Sequence, residues 1–316
     1  MRLRAATLAA LLPIALAGCG GSDGDGTEPG SQLPPAGGNG TLAYAIPGLP
    51  KTLDPLAAHG RLAQTVTRQV YEPLVEQLTG PYGQTASQPG LALNAQPSPN
   101  RTTWTLNLRL GVRFQDGTPF NAAAVLANSR RWQSDPRGRA LLPELFAVDA
   151  PRPDEVRFLL DRPVRDLPAR LASPRLGIVS PRGLQPQSGQ RAHFLADVRG
   201  SGTGAFEPGA GGPGRLELAR YAGWWGSPIG LGPAVDGVTF LAAPKPGQRF
   251  RMLAEGTAQI ADPLEAAGLR AAQADPLLTT VGGPTGGIGT EGSVRGISSA
   301  RAVPALTGVW LTRLTG

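Results

Sequence analysis

The sequence predicts a mixed α/β (α+β) fold in which strands alternate with short helices, and the clearest evidence lies in residues 104–132. Residues 104–110 alternate apolar and polar side chains with the period of two that a half-buried strand requires. The Asp116-Gly117 pair favours a tight turn with a positive φ, and Asn121 can cap the first turn of a helix. Apolar side chains then recur at helical spacing. A strand, a turn and a capped helix are therefore expected in that order.

The buried faces of this strand and this helix follow from the same spacing. The apolar face of the strand is formed by Trp104, Leu106, Leu108 and Leu110. The core-facing stripe of the helix is formed by Val125, Leu126, Ser129 and Trp132. The side chains expected mostly outside that stripe are Asn128, Arg130 and Arg131.

Other segments show the same two periodicities. Strands are predicted over residues 41–46, 155–160 and 236–242, and a strand end over 258–262. Helices are predicted over residues 61–77, with a break or an end near Pro73, over 137–146 and over 248–254.

Composition argues for a globular protein without a nucleic-acid partner. At 316 residues and 41% apolar content, the chain can bury one large core or two smaller ones. The net charge of +7 invites a nucleic-acid interpretation. However, all of the thirty basic residues except Lys51 and Lys245 are arginines, and they are scattered along the chain. No nucleic-acid contact is expected from that distribution.

The N-terminus has the features of a lipoprotein signal peptide. Arg2 and Arg4 precede an uncharged Ala/Leu-rich run that is too short to span a bilayer as a permanent helix. The run ends in Leu-Ala-Gly-Cys, which resembles the bacterial lipobox, so that Cys19 is expected to carry a lipid anchor. As the only cysteine, it has no disulfide partner within the chain. We expect a signal peptide (1–18), a flexible tether (19–40) and one domain (41–316).

Residues 104–131 closely resemble the signature of the family 5 extracytoplasmic solute-binding proteins, the receptors of peptide and nickel ABC importers. The matching positions are Arg109, Gly111, Val112, Phe114, Asp116, Gly117, Pro119, Phe120, Ala122, Val125 and Arg131. The resemblance implies a type II periplasmic-binding-protein lobe. It also implies capture of an oligopeptide or another small solute for ABC permease subunits, in the periplasm or cell envelope.

The resemblance extends over residues 41–265 and implies further elements. The stretch beginning at Tyr71 matches the family's Tyr-Glu-x-Leu. The family order implies a loop over residues 91–100 and a short helix over 166–172. The Gly-Thr-Gly of residues 202–204 and the aromatic run of residues 220–226 stand where the family has Gly-Thr-Gly-Pro-Tyr and Tyr-Trp-Gly.

This loop and this aromatic run provide the expected ligand face, because aromatic side chains on loops can cover an apolar group. The candidate ligand-binding residues are Thr203, Gly204, Tyr221, Trp224 and Trp225. The alternative is that Trp224 or Trp225 only fills the core.

After residue 265 the resemblance weakens. The family continues into a second lobe, whereas here a glycine-rich stretch (282–292) and residues 293–316 follow. We expect the second lobe to be replaced by this stretch and the first lobe to be closed by an apolar C-terminal strand that contains Trp310 and Leu314. The alternative is a gene remnant whose tail is accidental.

Catalysis is not expected. The chain has two histidines, His59 near a helix start and His193, and it lacks nucleophile motifs and metal-ligand spacing. No catalytic residue, metal site or cofactor is therefore predicted. The predicted function is non-catalytic ligand capture, and the alternative is an envelope scaffold or interaction lipoprotein without a ligand of its own.

Overall fold

The computed structural model describes residues 40–79, 85–185, 201–276, 278–281 and 292–295. Its helices are α1 (Arg61–Arg68), α2 (Ala122–Ser134), α3 (Pro136–Leu141), α4 (Leu167–Leu171), α5 (Pro246–Ala254) and α6 (Ala266–Ala274). Its strands are β1 (Thr41–Ile46), β2 (Val75–Thr79), β3 (Thr85–Pro89), β4 (Ala92–Pro97), β5 (Thr103–Leu108), β6 (Leu145–Arg152), β7 (Glu155–Leu160), β8 (Phe206–Pro208), β9 (Arg215–Arg220), β10 (Gly237–Ala242), β11 (Ile260–Ala261), β12 (Leu278–Val281) and β13 (Gly292–Arg295).

The larger sheet has seven strands among the described residues, in the order β12-β13-β11-β1-β10-β9-β8. The central strand β1 pairs in parallel with both β10 and β11. Alternation along β1 places Tyr44 in one hydrophobic cluster with Val66 of α1. Ala45 belongs to a second cluster with Leu253 of α5 and Ala272 of α6. Helices thus cover both faces, and the carboxyl ends of the three parallel strands lie at one edge.

A second sheet, again within the described residues, has four antiparallel strands in the order β4-β5-β7-β6, and β2 and β3 form a two-stranded antiparallel sheet. Trp104 of β5 and Phe158 of β7 share a hydrophobic cluster with Val125 and Trp132 of α2. The indole N–H of Trp104 donates to the carbonyl of Val164 at 3.1 Å, which satisfies its polar atom inside the core.

Several local predictions are confirmed. The predicted ranges of β1 and β7 coincide with the observed strands. Asn121 caps α2 by accepting a hydrogen bond from the Ala124 amide at 3.3 Å. Gly117 has a φ of 81°, as the Asp-Gly turn predicts. The short helix implied for residues 166–172 is α4.

Two predicted element boundaries were wrong. The helix predicted over residues 61–77 ends at Arg68, and β2 begins at Val75. Pro73 lies between them and cannot donate the hydrogen bond that a continuing helix needs. The helix predicted over residues 137–146 ends at Leu141, before β6.

The segments on either side of β5 also differ from prediction. The loop expected over residues 91–100 contains β4, which forms a ladder with β5. Leu110 was expected on the buried face but is 74% exposed. The strand ends at Leu108 and the chain turns at Gly111, whose φ is 78°, so the period of two no longer applies at Leu110.

Two polar side chains of α2 that were expected outside the core are buried. Asn128 donates to the Val179 carbonyl at 2.7 Å and accepts from the Val179 amide at 3.1 Å. Arg131 forms an ion pair of 2.5 Å with the buried Asp54. Both are buried because distant segments supply partners, which helical spacing alone does not reveal.

Some predictions fall on residues outside the described part of the chain. These are the leader and tether before residue 40, Cys19, His193 and the closing strand with Trp310 and Leu314. Among the described residues, no helix combines the length and apolar character needed to cross a membrane.

Candidate functional site

A buried carboxyl group joins the two tryptophans of the predicted ligand face. Glu72, in the segment between α1 and β2, accepts a hydrogen bond from the Trp224 indole at 3.2 Å and from the Trp225 indole at 2.8 Å. The two rings lie 5.4 Å apart between centroids, tilted by 51°. Trp224 is buried, while Trp225 is half-buried. Their polar atoms thus converge on one acceptor side chain.

Burial raises the pKa of Glu72 to about 7. Hydrogen bonds from Trp225 and Trp224, together with the nearby Thr203 hydroxyl, lower the pKa of Glu72 and so oppose this rise. Repulsion by the charge of Glu76 raises the pKa further. Thr203 Oγ1 is buried and makes no hydrogen bond of standard geometry within the described residues, although it lies close enough to influence Glu72. Protein surrounds Glu72, yet part of the residue remains accessible to solvent. Both of its protonation states are therefore populated near neutral pH.

Arg109, which follows β5, lies over the ring of Trp225. Its guanidinium carbon lies 4.1 Å from the centroid of the Trp225 ring, and its Nε donates to the Gly90 carbonyl at 3.2 Å. Desolvation lowers the pKa of Arg109, and the charge of Glu72 opposes that effect. A cation–π contact of this kind contributes about 0.5–1 kcal/mol at an exposed site and more when desolvated.

The loop of residues 202–204 is fastened to the turn after β5 through Gln115. The Gln115 amide donates to the Gly202 carbonyl at 2.8 Å, and its side chain donates to the Gly204 carbonyl at 3.1 Å. The loop lies directly on the segment after α1, since a Cβ on Gly202 would lie 1.8 Å from the Val70 carbonyl oxygen. A Cβ on Gly204 would meet the same segment at 2.4 Å. These contacts leave no room for a side chain at either glycine.

Tyr221 connects the aromatic run to the same turn. Its hydroxyl donates to the Phe114 carbonyl at 3.2 Å, and its amide donates to the Ala205 carbonyl at 2.8 Å. Burial raises the pKa of Tyr221. The side chain is half-buried and its hydroxyl already has an acceptor, so any ligand would meet mainly its ring.

The structure brings the five predicted ligand residues into one region, and their binding role stays a prediction. Sequence reasoning matched Glu72 and Arg109 to family motifs but did not place them in a site. For Glu72, one local signal was available, because an acidic residue stands between Tyr71 and Pro73 in an otherwise apolar segment.

A second candidate region lies at the carboxyl edge of the parallel strands and was missed entirely. Asp262, directly after β11, accepts from the Tyr44 hydroxyl at 3.2 Å and pairs with Arg61 of α1 at 2.6 Å. Its other oxygen, Oδ1, is buried and has no hydrogen-bond partner among the described residues. The Arg61 side chain is 41% exposed, so this ion pair reaches solvent. Ligands of open α/β sheets commonly bind at this edge.

Within the residues that the structure describes, no group of three or more His, Cys, Asp or Glu side chains is placed to hold a metal ion. His59 is exposed and lies beside the start of α1, where the sequence analysis expected a helix start.

Comparison with known proteins establishes the family. Residues 86–291 match the model of the bacterial extracellular solute-binding proteins, family 5 Middle. The chain belongs to this family, which consists of substrate-binding, non-catalytic proteins. Both the predicted family and the predicted type II periplasmic-binding-protein fold are confirmed.

The chain is similar to several characterised members. It is 30% identical over 218 residues to the glutathione-binding protein GsiB of Escherichia coli K12, covering 67% of this chain and 40% of GsiB. NikA from Brucella suis, solved with Fe(III)-EDTA, is 25% identical with a TM-score of 0.65, covering 77% of this chain and 48% of NikA. A dipeptide-binding protein from Pseudoalteromonas sp. SM9913, solved with Met-Leu, is 15% identical with a TM-score of 0.68. The match covers 77% of this chain and 51% of the dipeptide-binding protein. The chain thus spans about two-fifths of the length of the curated relatives it matches.

Proposed function

We propose that this chain is a substrate-binding lipoprotein of an ABC-type importer and captures a peptide or a similar small solute outside the cytoplasmic membrane. The observation that carries the proposal is its membership of solute-binding family 5. GsiB is a glutathione-binding protein and NikA was solved with Fe(III)-EDTA, so peptides and metal chelates are the first solutes to test. Lipid anchoring through Cys19 and contact with permease subunits belong to the same proposal.

The ligand face is proposed at Thr203, Gly204, Tyr221, Trp224 and Trp225. The partly exposed ring of Trp225 supports this location, because it can stack on a ligand while its N–H stays bound to Glu72. The carboxyl edge with Arg61 and Asp262 is a second candidate location. The unpartnered Oδ1 of Asp262 supports it, since a buried carboxylate oxygen gains from a donor on a ligand.

A thermal-shift screen of the mature full-length chain in detergent tests the function and separates the two locations. The panel contains glutathione, di- to tetrapeptides, and nickel and Fe(III) chelates. We expect one class to raise the melting temperature in proportion to ln(1 + [L]/Kd). Trp225→Ala should abolish that rise if the aromatic face binds, and Arg61→Ala should abolish it if the carboxyl edge binds. Silence across the panel at millimolar concentration would contradict the proposal.

A scaffold without its own ligand remains the second candidate function. It is favoured by the engagement of both indole N–H groups within the protein, which is what core-filling tryptophans require. Crosslinking to envelope proteins, combined with a silent screen, would favour this function over solute capture.

A further inference from the structure

Arg109 is held in one orientation by two independent contacts. The guanidinium carbon lies over the Trp225 ring, and Nε donates to the Gly90 carbonyl, so the two contacts together restrict the guanidinium. Because these two contacts already restrict the side chain, Arg109 loses less conformational entropy than a free arginine would when it binds a ligand. The guanidinium is therefore preorganised for a further partner.

The two terminal nitrogens of Arg109 lack such a partner. Within the described residues, the hydrogen bonding of the Arg109 side chain consists of the single Nε bond, and no acidic side chain forms an ion pair with it. Neither terminal nitrogen is fully buried, so both remain accessible to solvent. A partly desolvated cation with an accessible two-donor end is therefore placed at the rim of the proposed ligand face.

We propose that Arg109, oriented by Trp225, forms a carboxylate-binding subsite and that the captured solute presents a carboxylate to its terminal nitrogens. The planar fork of a guanidinium matches the two oxygens of a carboxylate in parallel hydrogen bonds. A cationic ligand group is disfavoured at this place by Arg109 itself. The solute identity rests on the function proposed above, whereas the subsite can be tested with a simple anion.

Glu72 makes the subsite sensitive to pH. Among the described residues, the charged groups that act on Glu72 are Glu76, which pairs with Arg68, and Arg109, whereas its neighbours Trp224, Trp225 and Thr203 are neutral. When Glu72 is ionised, its charge partly neutralises the field of Arg109 and repels an incoming carboxylate. When Glu72 is protonated, that repulsion disappears. Carboxylate binding should therefore become tighter as the pH falls from 8 to 6.

The test is a titration of the mature full-length chain with succinate, followed by calorimetry and by the NMR signal of the Trp225 indole N–H, which Trp225→Phe identifies. We expect saturable binding with a shift of that signal, and a loss of about tenfold or more in affinity for Arg109→Lys, which keeps the charge but not the fork. Arg113→Lys, at an exposed arginine of the neighbouring turn, is the matched control and should bind like the wild type. Glu72→Gln should remove the pH dependence.

Several outcomes would overturn the subsite. These are no succinate binding by a folded protein, equal affinity in Arg109→Lys and the wild type, or tighter binding of inorganic phosphate than of succinate. Failure of the subsite and failure of the function remain distinguishable. Solute binding without any effect of Arg109→Lys removes the subsite alone, while succinate binding with a silent solute panel removes the function alone.

Discussion

Gln115 and Gly202 are joined by a reciprocal pair of hydrogen bonds although they lie 87 positions apart in the chain. The Gln115 amide donates to the Gly202 carbonyl at 2.8 Å, and the Gly202 amide donates to the Gln115 side-chain oxygen at 3.3 Å. The turn of the family signature therefore fixes the glycine loop beside the aromatic run. This gives the signature a structural purpose that requires no catalytic group.

Gly202→Ala should destabilise the protein by about 2–4 kcal/mol, because the added Cβ would lie 1.8 Å from the Val70 carbonyl oxygen and force the loop away from Gln115. Urea unfolding measures the effect. Gly212→Ala is the matched control, since a Cβ there meets no atom within 4 Å, and it should change stability by less than about 0.5 kcal/mol. Equal stability of the two variants would contradict the close approach.

Glu72 should make stability depend on pH between about 4.5 and 7. Its folded-state pKa of about 7 lies above the ordinary value of 4.5, so the folded protein retains a proton that the unfolded chain has lost. The stabilisation is complete below pH 4.5 and is lost as the pH rises through 7. The unfolding free energy of the wild type, relative to Glu72→Gln, should fall by on the order of 2–3 kcal/mol between pH 5 and 7.5. A difference independent of pH would contradict the raised pKa.

Arg131→Ala should cost about 3–5 kcal/mol of stability, because it leaves the Asp54 carboxylate buried without its cation. Asp54 also caps the 3-10 turn at Pro55–Ala57 by accepting from the Leu56 amide at 3.0 Å. Arg130→Ala, at an exposed position of the same helix, is the control and should be nearly neutral. Comparable losses in the two variants would contradict the dominant role of the buried pair.

Cys19→Ser should release the protein from the membrane fraction if Cys19 carries the lipid. Anchoring of this kind rests on acyl chains whose buried methylenes contribute about 0.8 kcal/mol each. Cell fractionation and immunoblotting measure the distribution, and Ser22→Ala in the predicted tether provides a control that should remain membrane-bound. Retention of Cys19→Ser in the membrane at the wild-type level would place the anchor elsewhere.

Sequence reasoning succeeded where the cause of a structure is local. The alternation in β1 and β7, the Asn121 cap and the turn at Gly117 depend on neighbouring residues and were predicted correctly. It failed where partners are distant in sequence. Asn128 and Arg131 looked like surface residues because their partners, Val179 and Asp54, come from other segments.

In the candidate site, too, local features were predicted from the sequence, whereas contacts between distant residues were not. The aromatic run and the glycine loop were recognised from family motifs, but the role of Glu72 depends on Trp225, which is 153 positions away. The stacking of Arg109 on Trp225 likewise depends on the tertiary fold. The ion pair between Arg61 and Asp262 forms because the start of α1 lies beside the end of β11, and no sequence motif predicted it.

Solute capture can be measured by calorimetric titration of the mature full-length chain with the solute that gives the largest shift in the screen. We expect saturable binding with one solute per chain, and loss of that binding in either Trp225→Ala or Arg61→Ala. Heats no larger than those of dilution for glutathione, peptides and metal chelates alike, from a protein shown to be folded, would contradict it.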